Sequence, residues 1–219
     1  MIDVDLVIYD FDGVIADTAA DIAGAVQAAQ RQYGAEIMDI AEIISHVGFG
    51  ARYLLKQCLP GMEESKQEEA LSWYKAFYRE HSKIQTVLYP TVSKTLELLF
   101  HTGVPQFVVS NKPEPITVKL VQEMGIAHCF QRIYGPESLV KMKPDPEGLI
   151  KCMELAGRRR GLMVGDSYTD IQAGRRAGIH TCGALYGIGD RERLRAENAD
   201  FYVETLGEIF EHIHVEGIS

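Results

Sequence analysis

The sequence predicts an α/β protein: a doubly wound, mainly parallel, Rossmann-like sheet with a small helical domain inserted after the first strand. Three observations predict it. The run VDLVIY at residues 4–9 is almost continuously apolar, as strands buried on both faces are. Between residues 18 and 85 the apolar residues recur at helical spacing and no strand pattern stands out. After Tyr89-Pro90, short β-branched runs alternate with helical segments, which is how βαβ units read.

The elements follow in order. The first strand stops at Asp10-Phe11-Asp12-Gly13, a stretch rich in breakers. Thr18 with Asp21 three residues on predicts a capping box, and Ile22, Val26, Ala29 and Tyr33 lie on one face of the helix it opens. Ile40, Ile43, Ile44 and Val47 mark a second helical face, and Leu71, Tyr74, Tyr78 and His81 a third. The domain division is thus 1–16 and 86–219 for the core, 17–85 for a helical cap, with Trp73, Tyr74, Phe77 and Tyr78 as cap core. In the core, Leu96, Leu99 and Phe100 predict a helix ended by Gly103. QFVVS (106–110) reads as a strand, Pro113 to Gly125 as a helix and QRIYG (131–135) as a weak strand. GLMVGD (161–166), IHTCGAL (179–185) and DFYV (200–203) are further strands, and DIQAGRRAG a helix. Leu206, Ile209, Phe210 and Ile213 predict a final helix.

Composition limits the function classes. The 219 residues carry 22 basic and 31 acidic side chains, a net charge of −9, which argues against a nucleic-acid or anionic-membrane surface. The basic cluster Arg158-Arg159-Arg160 reads as a solvated loop. No apolar run approaches the ~18 residues of a membrane span. The four cysteines (58, 129, 152 and 182) form no C-x-x-C pair and read as reduced residues, so a cytoplasmic location is expected. The acidic, strand-like N-terminus is wrong for a secretion signal.

Ligands of open parallel sheets bind beyond the carboxyl ends of the strands. At those ends stand Asp10 with Asp12 two residues on, Ser110-Asn111, and Asp166 with Asp170 four residues on. Lys143 lies in a proline-fenced loop, Lys143-Pro144-Asp145-Pro146. Acids packed together repel unless a cation joins them, and carboxylates with a carbonyl are hard oxygen ligands that suit Mg²⁺. Lys143 adds a compact positive charge, Ser110 a hydroxyl, and the helix after Ser110 the amides of its N-terminus; together they make a cage for a phosphoryl group. One of Asp10 and Asp12 is then a nucleophile while the other handles the leaving-group proton. The plainer readings are a turn for Asp12, a helix cap for Ser110 and for Asp170, and a surface lysine for Lys143.

DFDGVIADT, VVSNK, KMKPDPE and GDSYTD resemble, in order, the four motifs of the haloacid dehalogenase-like phosphatases. DIAGAVQAA, the turn at 48–52, Tyr89-Pro90 and AGIHTCGALYG are similar to the phosphoglycolate phosphatase branch. The resemblance implies Asp10 as nucleophile and Asp12 as general acid, then base. It implies Mg²⁺ held by Asp10, the main-chain carbonyl of Asp12 and Asp166, with Asp170 in direct or water-mediated support. It also implies Ser110 and Lys143 on the phosphoryl oxygens with Asn111 assisting. In the cap, the Gly48-Phe49-Gly50 turn with Arg52, and less directly Lys56, is the candidate reader of the substrate's far end.

The expected partner is a small phosphorylated molecule, with 2-phosphoglycolate implied by the branch, and the expected assembly a monomer or homodimer. Val14 departs from the threonine of many phosphatases of the family, and the DGVI spelling also occurs in sugar-phosphate mutases such as β-phosphoglucomutase. A phosphatase or pyrophosphatase of other specificity is a second alternative. A phosphonate-cleaving enzyme is disfavoured by the acid at Asp12, and a receiver-type phosphoacceptor by the helical insertion.

Overall fold

The computed structural model describes residues 1–217. Its centre is a six-stranded sheet, parallel throughout. In chain order the elements are β1 (Ile2–Asp3), β2 (Leu6–Tyr9), β3 (Ala16–Asp17), α1 (Ala19–Tyr33), α2 (Ile40–Ser45), α3 (Ala51–Cys58) and α4 (Glu64–His81). Then come β4 (Val87–Leu88), α5 (Val92–Thr102), β5 (Gln106–Val109), α6 (Glu114–Glu123), β6 (Arg132–Tyr134) and α7 (Glu147–Ala156). The chain continues through β7 (Gly161–Gly165), α8 (Tyr168–Ala177), β8 (His180–Ala184), α9 (Arg191–Ala196), β9 (Phe201–Val203) and β10 (Ile213–His214). The strand order is β6-β5-β2-β7-β8-β9, so β2 sits between β5 and β7. The chain fills one side of β2, then the other, and β2 is therefore the switch point of the sheet.

Alternation along the strands divides the core. Leu6, Ile8, Phe107, Val109 and Met163 face one way and pack with Leu149 and Cys152 of α7 and Ala173 of α8. Val7, Tyr9, Val108, Leu162 and Val164 face the other way, against Leu96 and Leu99 of α5 and Ile116 and Leu120 of α6. Two-sided burial is what made these strands read as unbroken apolar runs.

Four helices, α1 to α4, fill the span between β3 and β4. The sequence pattern did not reveal the short antiparallel pair β3–β4 at its neck, nor the parallel pair β1–β10, because two-residue strands carry no period. The short helix α9 was also not foreseen. The predicted final helix is a 3-10 turn over Leu206–Glu211, and Ile213 lies in β10. The four cysteines are buried and unpaired, and Arg158, Arg159 and Arg160 are exposed.

The predicted capping box is overturned. Thr18 and Asp21 make no capping box: the Thr18 hydroxyl turns back to donate to Asp12 Oδ1 at 2.7 Å. Asp21 is buried and clamps the other end of the insertion instead. Its carboxylate accepts the amides of Ile84, Gln85 and Thr86 at 2.8–3.0 Å and the Thr86 hydroxyl at 2.7 Å. A local cap pattern and a contact 65 residues away compete for the same carboxylate, and the latter satisfies more donors. Replacing Asp21 by alanine leaves the buried Thr86 N–H and hydroxyl without their acceptor, so Asp21→Ala is expected to cost about 2 kcal/mol of unfolding free energy, read as a lowered urea midpoint at unchanged m-value.

Candidate active site

Three neighbouring strands end at one place. Asp10 follows β2, Ser110 follows β5 and Asp166 follows β7, all less than 6% exposed. The carboxylates of Asp10, Asp166 and Asp170 each offer an oxygen within 4.8 Å of the others. Lys143 Nζ stands 3.1 Å from Asp10 Oδ1 and 2.7 Å from Asp170 Oδ1. Those contacts are charge contacts: neither Lys143 Nζ nor Asp170 Oδ1 has a well-directed hydrogen bond, although both atoms are sealed from solvent.

Local structure explains how so many acids are held. Asp166 Oδ2 accepts the amides of Ile188 and Gly189, both at 2.9 Å. Gly13 and Gly187 wrap this carboxylate so closely that a Cβ on either would overlap it, and Gly13 also has φ +79°. Asp170 joins Ser167 in a true capping box at the start of α8: the Ser167 hydroxyl accepts from Thr169 N–H, and Ser167 N–H donates to Asp170 Oδ2 at 3.0 Å. The capping role and the site role of Asp170 therefore coexist, one oxygen serving each.

The electrostatics follow from crowding. Burial first, then Asp10 and Asp170, hold the Asp166 carboxyl well above its usual range. Burial raises Asp170 as well, against the pull of Lys143. For Lys143 burial works against the charge, yet Asp10 and Asp170 outweigh it and raise its pKa. Acid and base are raised together because one ammonium faces an excess of negative charge. A hard dication fits this donor set: buried carboxylate oxygens, one of them without a directed partner, in a field that lacks positive charge.

Asp12 stands apart from that cluster. Its Oδ1 receives Lys112 Nζ at 2.9 Å as well as the Thr18 hydroxyl. Lys112, missed in the sequence, is buried, and its Nζ also bonds Tyr78 Oη and lies 4.4 Å from the centre of the Tyr78 ring. Burial pulls its pKa down despite Asp12. The available signal was its place directly after Ser110-Asn111 at a strand end.

Several expected roles are corrected. Asn111 lines the pocket, but its side chain is saturated: Nδ2 donates to the carbonyls of Gly48 and Lys143, and Oδ1 accepts the Lys143 amide. It joins the cap to the Lys143 loop and has no donor left for a phosphoryl oxygen. Ser110 does not cap the next helix, because α6 begins only at Glu114 with Pro113 at its N-cap; its Oγ accepts the Lys112 amide at 3.3 Å. Amides near Ser110 belong to a loop, so the expected helix N-terminus lies four residues downstream. Arg52 is paired with Glu68 on the surface, and both Arg52 and Lys56 line a separate small groove in the cap. Gly50 does line the main pocket, beside Gly48 and Phe49. Tyr74 and Tyr78 are buried in the cap as expected, but both also form pocket wall.

The pocket above the acids has a volume of about 150 Å³. Its unforeseen cation is Arg193 of α9, whose guanidinium lies 3.6 Å from the centre of the Tyr168 ring. Tyr168 in turn packs on Phe49 of the cap.

A doubly wound parallel sheet with its acids at the switch point, beneath an inserted helical cap, defines a class of hydrolase. A profile of haloacid dehalogenase-like hydrolases matches residues 7–184, and the chain belongs to that family. Among its relatives, the phosphoglycolate phosphatase of Neisseria meningitidis is 33% identical over 221 residues, covering 96% of this chain and 94% of that protein. The phosphoglycolate phosphatase of Pseudomonas putida is 32% identical over 209 residues, covering 92% of this chain and 76% of that protein. A crystal structure from Haemophilus somnus described as a predicted phosphoglycolate phosphatase superimposes with a TM-score of 0.88 at 25% identity, covering 95% of this chain and 97% of that one.

Gly13→Ala tests the cradle around Asp166. Displacing that carboxylate by about 1 Å is expected to lower kcat/KM roughly 100-fold, measured with an aryl phosphate, while circular dichroism stays unchanged.

Proposed function

We propose that the protein is a Mg²⁺-dependent phosphatase that hydrolyses a small phosphate monoester, 2-phosphoglycolate, through an aspartyl-phosphate. The observation that carries the reading is the convergence of Asp10, Asp166, Asp170 and Lys143 with Asp12 alongside on a lysine of its own. Asp10 attacks phosphorus in line with the leaving oxygen, and Asp12 gives that oxygen a proton. Asp12 then takes a proton from water, which attacks the phosphorus of the aspartyl-phosphate and returns Asp10. Lys143 and the Ser110 hydroxyl hold phosphoryl oxygens. Asp10, Asp166, Asp170 and the main-chain carbonyl of Asp12 are the groups that would hold Mg²⁺, which supplies charge neutralisation to the phosphoryl group when bound.

The substrate class rests on size, on the pocket cation and on the relatives' activity. A cavity of about 150 Å³ is below the ~300–1,000 Å³ of sites for drug-sized ligands, which favours a short ester. Arg193 is fixed by stacking on Tyr168 and has no carboxylate partner among the described residues. Its planar donor fork suits a second anionic group on the substrate. Among the described residues no helix is long and apolar enough to cross a membrane. Buried free cysteines support a reducing, cytoplasmic setting.

Asp10→Asn is expected to abolish phosphate release while leaving the melting temperature within a few degrees; turnover at the wild-type rate would defeat the mechanism. Chelation should stop turnover of the native protein and added Mg²⁺ restore it, and release of free phosphate, not an isomer, separates the phosphatase from a mutase. Arg193→Ala should raise KM for 2-phosphoglycolate about 10-fold, the effect of losing one charge-assisted contact, and leave KM for p-nitrophenyl phosphate nearly unchanged.

A further inference from the structure

We infer that Lys112 is the positioning residue for Asp12, and that Tyr78 completes the hold from the cap, so that proton transfer to the leaving group requires a seated cap. The inference rests on the reading of Asp12 as general acid and base. Lys112 comes from the core, three residues past the end of β5, and its Nζ lies 2.9 Å from Asp12 Oδ1. Only 2% of the Lys112 side chain is exposed. Its polar contacts in the described structure are Asp12 and the Tyr78 hydroxyl, with the Tyr78 ring beside the charge.

A buried ammonium is costly and is kept where a specific partner repays it. Lys143 already serves the acids that surround the nucleophile, whereas Lys112 serves none of Asp166 and Asp170 directly. Two donors, Lys112 Nζ and Thr18 Oγ1, converge on the same oxygen of Asp12. Oδ2 accepts no hydrogen bond among the described residues, and Asp12 lines the pocket, so Oδ2 is the oxygen left to exchange a proton with the substrate. Tyr78 belongs to α4 and Thr18 stands at the start of α1, so two of the three groups that fix this carboxylate, directly or through Lys112, belong to the cap insertion. If the cap lifts, Tyr78 leaves Lys112, the ammonium is released from one side, and the orientation of Asp12 loosens.

The test separates positioning from plain structural support by leaving group. An alkyl ester needs a proton on its departing oxygen, and an aryl ester such as p-nitrophenyl phosphate needs little help. The measurement is the single-turnover rate of leaving-group release, the step before Asp12 acts as base. Lys112→Met keeps the stem and removes the charge; it is expected to lower that rate about 100-fold with 2-phosphoglycolate and no more than about 5-fold with p-nitrophenyl phosphate, within the range that acid–base groups contribute. Tyr78→Phe keeps the ring and removes one hydroxyl; it should show the same selectivity at about 10-fold, so the inference stays testable if Lys112→Met does not fold. A series of aryl and alkyl phosphates should give a steeper dependence of that release rate on leaving-group pKa in both variants than in the native protein. Asp12→Asn serves as the reference. Selective loss in Asp12→Asn together with equal loss on both esters in Lys112→Met or Tyr78→Phe overturns this inference alone. Equal loss on both esters in Asp12→Asn overturns the acid role of Asp12 and this inference with it.

Discussion

The site depends on an imbalance of buried charge. Among the described residues, Asp10, Asp12, Asp166 and Asp170 have only Lys112 and Lys143 within ion-pair distance. In water such repulsion is small; in a buried site it is large enough to move pKa values by units. The fold tolerates it through fixed dipoles: two amides on Asp166, a capping box on Asp170, an amide from Phe11 on Asp10. These hold the oxygens in place without cancelling the charge. What remains is a preorganised deficit of positive charge, and a divalent cation with a phosphoryl group sharing its field is a chemistry that uses it.

The second constraint is the way the insertion is tied to the core. Asp21 binds both ends of the insertion together, and β3–β4 pairs the two chain crossings. Farther out, Asn111 takes the Gly48 carbonyl, Lys75 of α4 pairs with Glu137 at 2.9 Å, and Lys112 takes Tyr78. Lys75–Glu137 is exposed and contributes little, whereas Lys112–Tyr78 is buried and Asn111–Gly48 is sheltered. The cap is therefore tied to the core both at its neck and over the pocket, and the tie over the pocket runs through the same side chain that holds Asp12.

The core and the acids were legible in the sequence because each rests on a strong local signal. Two-sided strands read as apolar runs, and the strand ends brought Asp10, Ser110 and Asp166 to one edge. Local patterns failed where a distant partner outbid them. Thr18 and Asp21 spell a capping box, but the hydroxyl goes to Asp12 and the carboxylate to residues 84–86. Asn111 stands beside Ser110, yet its amide is consumed in joining two loops. Arg52 follows the right turn but projects from α3 toward Glu68, since the direction of a side chain off a helix is set by the helix's rotation and not by its distance from the turn. Arg193 lies on a six-residue helix with no period to mark it, and nothing in its neighbours announces a pocket.

On the proposed reading, chemistry and selectivity come from different parts of the chain. Asp10, Ser110, Lys143 and Asp166 stand on strand ends or adjoining loops of the sheet, and Asp170 in the first turn of α8, beside the packed core. The outer wall is made by the turn at 48–50, by Tyr74 and Tyr78, and by Tyr168 with Arg193. These lie on the insertion and on short elements beyond the strands, and their positions depend on contacts such as Phe49 on Tyr168 that cross between cap and core. Substitutions in the wall are expected to change which ester fits while leaving the acid cluster intact. Lys112 is the exception, because it touches Asp12, the proposed general acid, on one side and the cap on the other. Through that one side chain, the seating of the cap and the orientation of the acid are a single equilibrium.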